Sequence, residues 1–185
     1  TGIEKFTALT YLDCNYNNLS TIDVSKNKLL TKLSLHGNKL TSLELTNLSS
    51  LNSLDCSFNL LTNLSLTNLP NLTYLQCYVN KFQSLDVTSL TSLTVLRCGS
   101  GHYNNNQITN VLQNLNVAGL SNLVILECFD TLISSIDLTG LTNLQNLSFL
   151  GIQNAGVLNS LDVSGCTNLK NLTCRHTQLT SLNVN

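Results

Sequence analysis

The chain has 185 residues and sets 9 Lys+Arg against 10 Asp+Glu, so it has neither the basic field that holds nucleic acid nor an acidic tail. Only 10% of its residues are charged, against roughly a quarter in ordinary globular domains; Leu, Asn, Ser and Thr make up the difference. No apolar run approaches the roughly 18 residues of a membrane span, which excludes membrane insertion by a helix of this segment.

From Leu9 onward one pattern recurs, L-x-x-L-x-C-x-x-N-x-L-x-x-L-D-V-T-x-x-L. Its copies begin at Leu9, Leu30, Leu51, Leu72, Leu93, Leu123, Leu144 and Leu169, and LNSLDCSFNLLTNLSLTNL shows it nearly unbroken. The start-to-start step is 21 residues, except for 30 after Leu93 and 25 after Leu144. In each copy x-L-x-C-x alternates, which predicts a short strand with Leu and Cys facing inward. A coil of this length returns the chain beside its own start. The strands should therefore stack as a parallel sheet, about 4.8 Å apart, and eight coils should make an arc roughly 38 Å long.

Val24, Leu45, Leu66, Val87, Val117, Leu138, Val163 and Val184 recur behind the strands and are expected in the same core, as are Phe6, Phe82 and Phe149. A coil this short leaves little room for a helix, so loops, extended pieces and single 3-10 turns are expected on the far face. Ile3 and Phe6 fall on core places of a preceding coil, and Asn185 stops in mid-coil. Residues 1–185 thus read as a single domain of about eight repeats, a fragment lacking both polar caps.

Cys14, Cys56, Cys77, Cys98, Cys128 and Cys174 share the sixth place of their repeats, where Leu35 and Phe149 stand in the other two. Cys166 takes a place held elsewhere by Leu48, Leu69, Leu90, Leu120 and Leu141. All seven therefore read as reduced core thiols. A disulfide framework or metal site is the alternative, but seven is odd, no CxxC occurs, and inward side chains on parallel strands point the same way. Asn17, Asn38, Asn59, Asn80 and Asn110 sit nine places into their repeats, where a carboxamide can bond the backbone of a neighbouring coil. Thr131, Gly156 and Thr177 replace them later, so a less regular bend is expected there. Asp23, Glu44, Asp86, Asp137 and Asp162 form a third register, read as turn stabilisation rather than a calcium stripe because Ser65, Asn116 and Asn183 interrupt it.

The run LTYLDCNYNNLSTIDVSKN, repeated with variations along the chain, resembles the bacterial internalin-type leucine-rich repeats, in particular the subclass with a cysteine ladder and 21-residue coils. TGIEKFTALTYL is similar to a repeat junction in those proteins. The resemblance implies a leucine-rich-repeat solenoid (α/β class, β-rich) with a parallel sheet on its concave face. It also implies a secreted or cell-surface protein that binds molecules of a host or neighbouring cell. The two long repeats and the lapsing asparagine ladder depart from the family pattern. G-x-I-P segments and L-P pairs, which mark other repeat classes, are absent.

Function is expected where the repeats vary. The outward places carry Tyr11, Asp13, Asn15 and Tyr16, then Lys32, Ser34 and His36, then Ser53, Asp55, Ser57 and Phe58, then Tyr74, Gln76, Tyr78 and Val79. Arg97, Glu127, Phe129, Asp130, Asn146, Ser148, Lys170, Arg175 and His176 continue the face. Aromatics gathered on one face anchor protein partners and also stack on sugars; the blander reading is cross-strand packing. The long repeats carry their surplus in GSGHYNNNQIT and in GIQNAG, two coils apart and directly after a strand, so both loops should flank the repeat bearing Phe129. The expected ligand site is Tyr74, Tyr78, Arg97, His102, Tyr103, Glu127, Phe129, Asp130, Arg175 and His176.

His36, His102 and His176 lie in different repeats with no nucleophile at an interpretable spacing, and HExxH, GxSxG and phosphate-loop motifs are absent. The chain thus reads as a non-enzyme without a cofactor. Asn18, Asn63 and Asn71 head glycosylation sequons that the repeat itself generates. Three functions remain open: an adhesion module binding a protein ligand through the concave face and both loops, a glycan-binding module, and a passive spacer displaying another domain.

Overall fold

The computed structural model describes residues 2–99, 112–152 and 157–185. Its strands in chain order are β1 (Tyr11–Asp13), β2 (Lys32–Ser34), β3 (Ser53–Asp55), β4 (Tyr74–Gln76), β5 (Ser84–Asp86), β6 (Val95–Gly99), β7 (Asn114–Asn116), β8 (Ile125–Thr131), β9 (Asn146–Gly151), β10 (Ser160–Asp162), β11 (Asn171–Arg175) and β12 (Ser181–Asn183). One main sheet orders β1-β2-β3-β4-β6-β8-β9-β11, all parallel, so each coil contributes one strand. Leu12, Leu33, Leu54, Leu75, Leu96, Leu126, Leu147 and Leu172 pair in a single row. With the cysteine row and the far-face Val and Leu residues they form one continuous core.

The far face is extended chain and turns, and among the described residues the 3-10 segment is Ile3–Lys5. Each far corner is built from successive turns. The Leu48 N–H donates to the Leu45 carbonyl and the Leu51 N–H to the Leu48 carbonyl; Val87–Leu90–Leu93 and Val117–Leu120–Leu123 repeat this. Asn47, Asn68, Gly119 and Gly140 hold positive φ inside these turns, a conformation that Asn and Gly adopt at least cost. Two stretches of the far face pair as short parallel sheets, β5 with β7 and β10 with β12.

The asparagine ladder is what seals one coil onto the next. Asn59 Nδ2 donates to the Leu35 carbonyl of the preceding coil at 2.9 Å and to the Cys56 carbonyl of its own at 3.1 Å, while its Oδ1 accepts the Leu40 N–H at 3.0 Å. Asn38 and Asn80 repeat the arrangement. Asn17 is exposed and reaches only Cys14 and Asn15 of its own coil. A second, exposed ladder lies at the place just before each repeat's first leucine. Asn71, Asn122, Asn143 and Asn168 donate to the carbonyls of Ser49, Thr91, Ser121 and Thr142 in the preceding coil. The acidic register does what its spacing implied: Asp23, Asp86, Asp137 and Asp162 each accept the N–H two residues on.

Two core expectations fail at the ends of the stack. Phe6 is 62% exposed and Val184 63% exposed, because neither has described coils on both sides to cover it. Asn27, unremarked in the sequence, is fully buried where other coils carry leucine, and its Nδ2 donates to the carbonyls of Ile3 and Phe6.

All seven cysteines are free thiols. Cys98 and Cys128 are neighbours with Sγ atoms 3.7 Å apart. The contact with Cys128 and burial push the Cys98 thiol well above its ordinary pKa, and burial does the same to Cys56 and Cys77. Thiolate is the reactive form, so native-state alkylation followed by peptide mapping should label Cys14 and Cys174 while Cys56, Cys77 and Cys98 stay unmodified until the chain unfolds. Replacing Asn59 with Ala leaves buried backbone groups unpaired and should lower the unfolding free energy by about 3 kcal/mol. The same change at exposed Asn17 should cost under about 0.5 kcal/mol, and urea titration separates the two.

Candidate recognition face

The outward residues of the main sheet form three rows that run across the strands, set by the parallel register. The first row aligns Tyr11, Lys32, Ser53, Tyr74, Val95 and Ile125; the second aligns Asp13, Ser34, Asp55, Gln76, Arg97 and Glu127. The third lies at the strand ends and holds Asn15, His36, Ser57, Tyr78, Gly99 and Phe129. Alternation along each strand separates these rows from the core rows beneath.

The polar members bond to one another across coils. Arg97 Nε donates to Glu127 Oε2 at 2.6 Å, and its Nη1 donates to the Tyr74 hydroxyl at 3.0 Å. The Tyr74 hydroxyl donates to Gln76 Oε1 at 2.6 Å, and Gln76 Nε2 donates to Asp55 Oδ2 at 3.1 Å and to the Tyr78 hydroxyl at 3.2 Å. Asp55 also accepts the Ser57 backbone N–H and hydroxyl. Burial opposes the Arg97 charge, but the bond and charge of Glu127, with the Tyr74 bond, outweigh it and raise the Arg97 pKa. Burial raises the Tyr78 pKa as well.

A strip of rings borders this relay. The Tyr16 and His36 ring centroids lie 4.8 Å apart, His36 and Phe58 4.8 Å, and Phe58 and Tyr78 5.4 Å. Two of these pairs are edge-on, an arrangement that aromatic quadrupoles favour. Tyr16 and Phe58 sit one place beyond the third row, at the bend, with φ of 54° and 52°. Bulky side chains take this left-handed conformation at a cost of roughly 1–2 kcal/mol. Gly37 holds the same place one coil from each, and the Tyr16 ring lies against its α-carbon side. The strip stops at Tyr78 because the next residue in the row is Gly99, where a side chain would collide with the Phe129 backbone.

Of the ten expected site residues, Tyr74, Tyr78, Arg97 and Glu127 lie in this one bonded cluster. Phe129 follows Gly99 along the third row, and Asp130 comes next at a bulge between β8 and β9. Burial raises the Asp130 pKa and the neighbouring His176 partly offsets the rise. Arg175 is exposed on β11 and pairs in register with Leu150, apart from the cluster. His102 and Tyr103 lie outside the described residues, as do Asn110 and Gly156. Ser34, Ser57 and Val79, expected to face outward, are buried. Gln76 and Asp55, placed on the face but not in the expected site, prove to be its link; only the cross-coil register could have shown that. Among the described residues no group of three or more His, Cys, Asp or Glu side chains is placed to hold a metal ion, and no helix is long and apolar enough to cross a membrane.

Strain and ring packing nearly cancel at Phe58. Phe58→Asn, which suits a left-handed bend, should change the unfolding free energy by less than about 1 kcal/mol. Phe149→Ala, in the core, should cost about 3–5 kcal/mol by chemical denaturation.

No protein-family model and no curated protein sequence matches the chain. Solved structures do. The functional domain of InlJ from Listeria monocytogenes, which includes a cysteine ladder, is 29% identical over 100% of this chain and 52% of its own, with a TM-score of 0.51. A leucine-rich-repeat protein of Leptospira interrogans is 23% identical over 99% and 50%, with a TM-score of 0.76. An internalin, InlF, from Listeria monocytogenes is 22% identical over 98% and 56%, with a TM-score of 0.67. The chain thus spans about half the length of each of them. Coil, parallel sheet and cysteine row agree with these comparisons: the chain is a leucine-rich-repeat solenoid with a row of cysteines, and it is similar to the cysteine-ladder domain of InlJ.

Proposed function

We propose that the outer face of the main sheet is a protein-recognition surface, carried by a secreted or cell-surface protein that binds a partner on a host or neighbouring cell. One observation carries this reading: the relay from Asp55 through Gln76 and Tyr74 to Arg97 and Glu127 bonds the polar side chains of four adjoining coils to one another. A charged group loses much free energy when a partner strips its water, unless its bonds are already made. Here the half-exposed Arg97 and Glu127 already neutralise each other, and the tyrosine and glutamine bonds hold them in place. Such a face can be covered by another protein at small desolvation cost, with Tyr and Arg supplying the anchors that dominate protein interfaces. A neutral glycan, by contrast, needs donors and acceptors left open toward it.

The test is a binding screen of the purified chain against a panel of extracellular protein domains, run beside a neutral glycan array. Arg97→Glu should weaken a protein partner by about tenfold or more through repulsion of Glu127 and loss of the Tyr74 bond. Lys26→Glu, an exposed far-face control, should leave the affinity unchanged. Partners bound equally well by the Arg97 variant would sink the reading. Glycan signals insensitive to Arg97→Glu would replace it with a carbohydrate module, and a face that binds nothing would leave a spacer.

A further inference from the structure

Cys98 and Cys128 are in-register partners on β6 and β8, each one residue beyond a member of the Arg97–Glu127 ion pair. Both are fully buried, and their Sγ atoms lie 3.7 Å apart. Among the described residues no other two thiols are in hydrogen-bond contact, although Cys56 and Cys77 fill the same row. The two cysteines are 30 residues apart in sequence, across the longest step between neighbouring strands of the main sheet. A bond between them would therefore tie two coils at the place where the chain itself joins them most loosely.

We propose that Cys98 and Cys128 are a redox-responsive pair, joined by a reversible disulfide that latches β6 to β8 beneath the Arg97–Glu127 ion pair. Backbone spacing allows the bond. Neighbouring strands stand about 4.8 Å apart, inside the roughly 4.4–6.8 Å range of Cα separations that a disulfide spans. The sulfurs must then close from contact to about 2.05 Å, which rotation about the two Cα–Cβ bonds supplies. Side chains leaving parallel strands point the same way and keep their Cβ atoms farther apart than the ~3.8 Å of a relaxed bridge. That mismatch strains the bond, and strained disulfides are the readily reduced ones. The latch belongs to the layer under the outer face and stands whether or not that face binds a protein.

The oxidant is a small soluble disulfide such as oxidised glutathione. The thiolate of one cysteine attacks the S–S bond of that reagent, giving a mixed disulfide and releasing one glutathione. The thiolate of the second cysteine attacks the protein sulfur of the mixed disulfide, forms the Cys98–Cys128 bond and releases the other glutathione. Two protein thiols are thereby oxidised, the reagent is reduced to two thiols, and these take up the two protons. In the closed sheet the contact with Cys128 and burial keep the Cys98 thiol protonated, whereas thiolate is the form that exchanges. The bridge therefore forms or breaks while the chain folds or when a coil opens. Once closed, the sheet keeps the state it was given.

The experiment is refolding of the whole chain from urea in glutathione buffers of graded oxidised-to-reduced ratio. Acid quenching, alkylation of the remaining thiols and peptide mapping by mass spectrometry then locate any bridge. One intramolecular bridge should appear, Cys98 to Cys128, with the other five of the seven cysteines free, and its fraction should rise and fall with the ratio. Amide exchange at Arg97 and Glu127 should slow about tenfold in the bridged chain. Cys128→Val should leave the chain folded and unbridged, whereas Cys56→Val should bridge as before. Seven free thiols at every ratio, a bridge between a different pair, or a Cys77–Cys98 bridge in the Cys128→Val variant overturns the proposal. So does unchanged amide exchange, or a bridged chain that has lost the native circular dichroism spectrum.

Discussion

A coil of 21 residues must turn sharply straight after its strand, and that bend carries backbone amides and carbonyls into the apolar interior, where unpaired groups are costly. The carboxamide of Asn38, Asn59 or Asn80 meets this constraint by bonding its own coil and the preceding one together. Because the partners lie in the preceding coil, the bond also sets how far each coil is shifted against the last. The single leucine row of the main sheet follows from that alignment, and so do the outward rows. A one-residue slip would turn every outward side chain into the core.

The architecture changes where this constraint is met differently. β1 to β4 span three residues each, whereas β6, β8, β9 and β11 span five, seven, six and five. The long strands β8 and β11 belong to the coils that carry Thr131 and Thr177 in place of the ladder asparagine, and β6 and β9 to the two long repeats. Backbone pairing runs on and takes over part of the work. Glycine is then required where adjacent chains meet closely: a side chain at Gly99 would strike the Phe129 backbone, and one at Gly151 the His176 carbonyl. A cavity of about 10 Å³ lined by Thr131, Phe149, Gly151 and Thr177 marks the same region, near the lower limit for one water molecule.

What was legible in the sequence is what repeats. Period, strand centres, cysteine places and the buried asparagines are properties of one coil, read eight times over. The exposed ladder of Asn71, Asn122, Asn143 and Asn168 escaped notice because a polar residue at an exposed place looks like ordinary solvation, although each one bonds the preceding coil. Phe6 and Val184 misled because membership of a core row requires neighbours on both sides. The relay was hidden for a different reason. Arg97 and Glu127 lie 30 residues apart, across the longest step, and become partners only through the register of β6 with β8.

The two-residue period of the strands keeps folding and recognition on separate rows, and the ring strip shows how far that separation goes. Gly37 demonstrates what the bend itself prefers: a residue free to take positive φ without strain. Tyr16 and Phe58 hold the same bend with bulky rings, against local conformational preference, and neither ring is needed to fill the core. Conflict between local preference and observed residue is expected at functional sites and is uncommon elsewhere. On this face the polar side chains have bonded one another, Phe58 packs between His36 and Tyr78, and Tyr16 stands 79% exposed. The fold supplies a sheet beneath them, so their spacing is dictated by coil stacking.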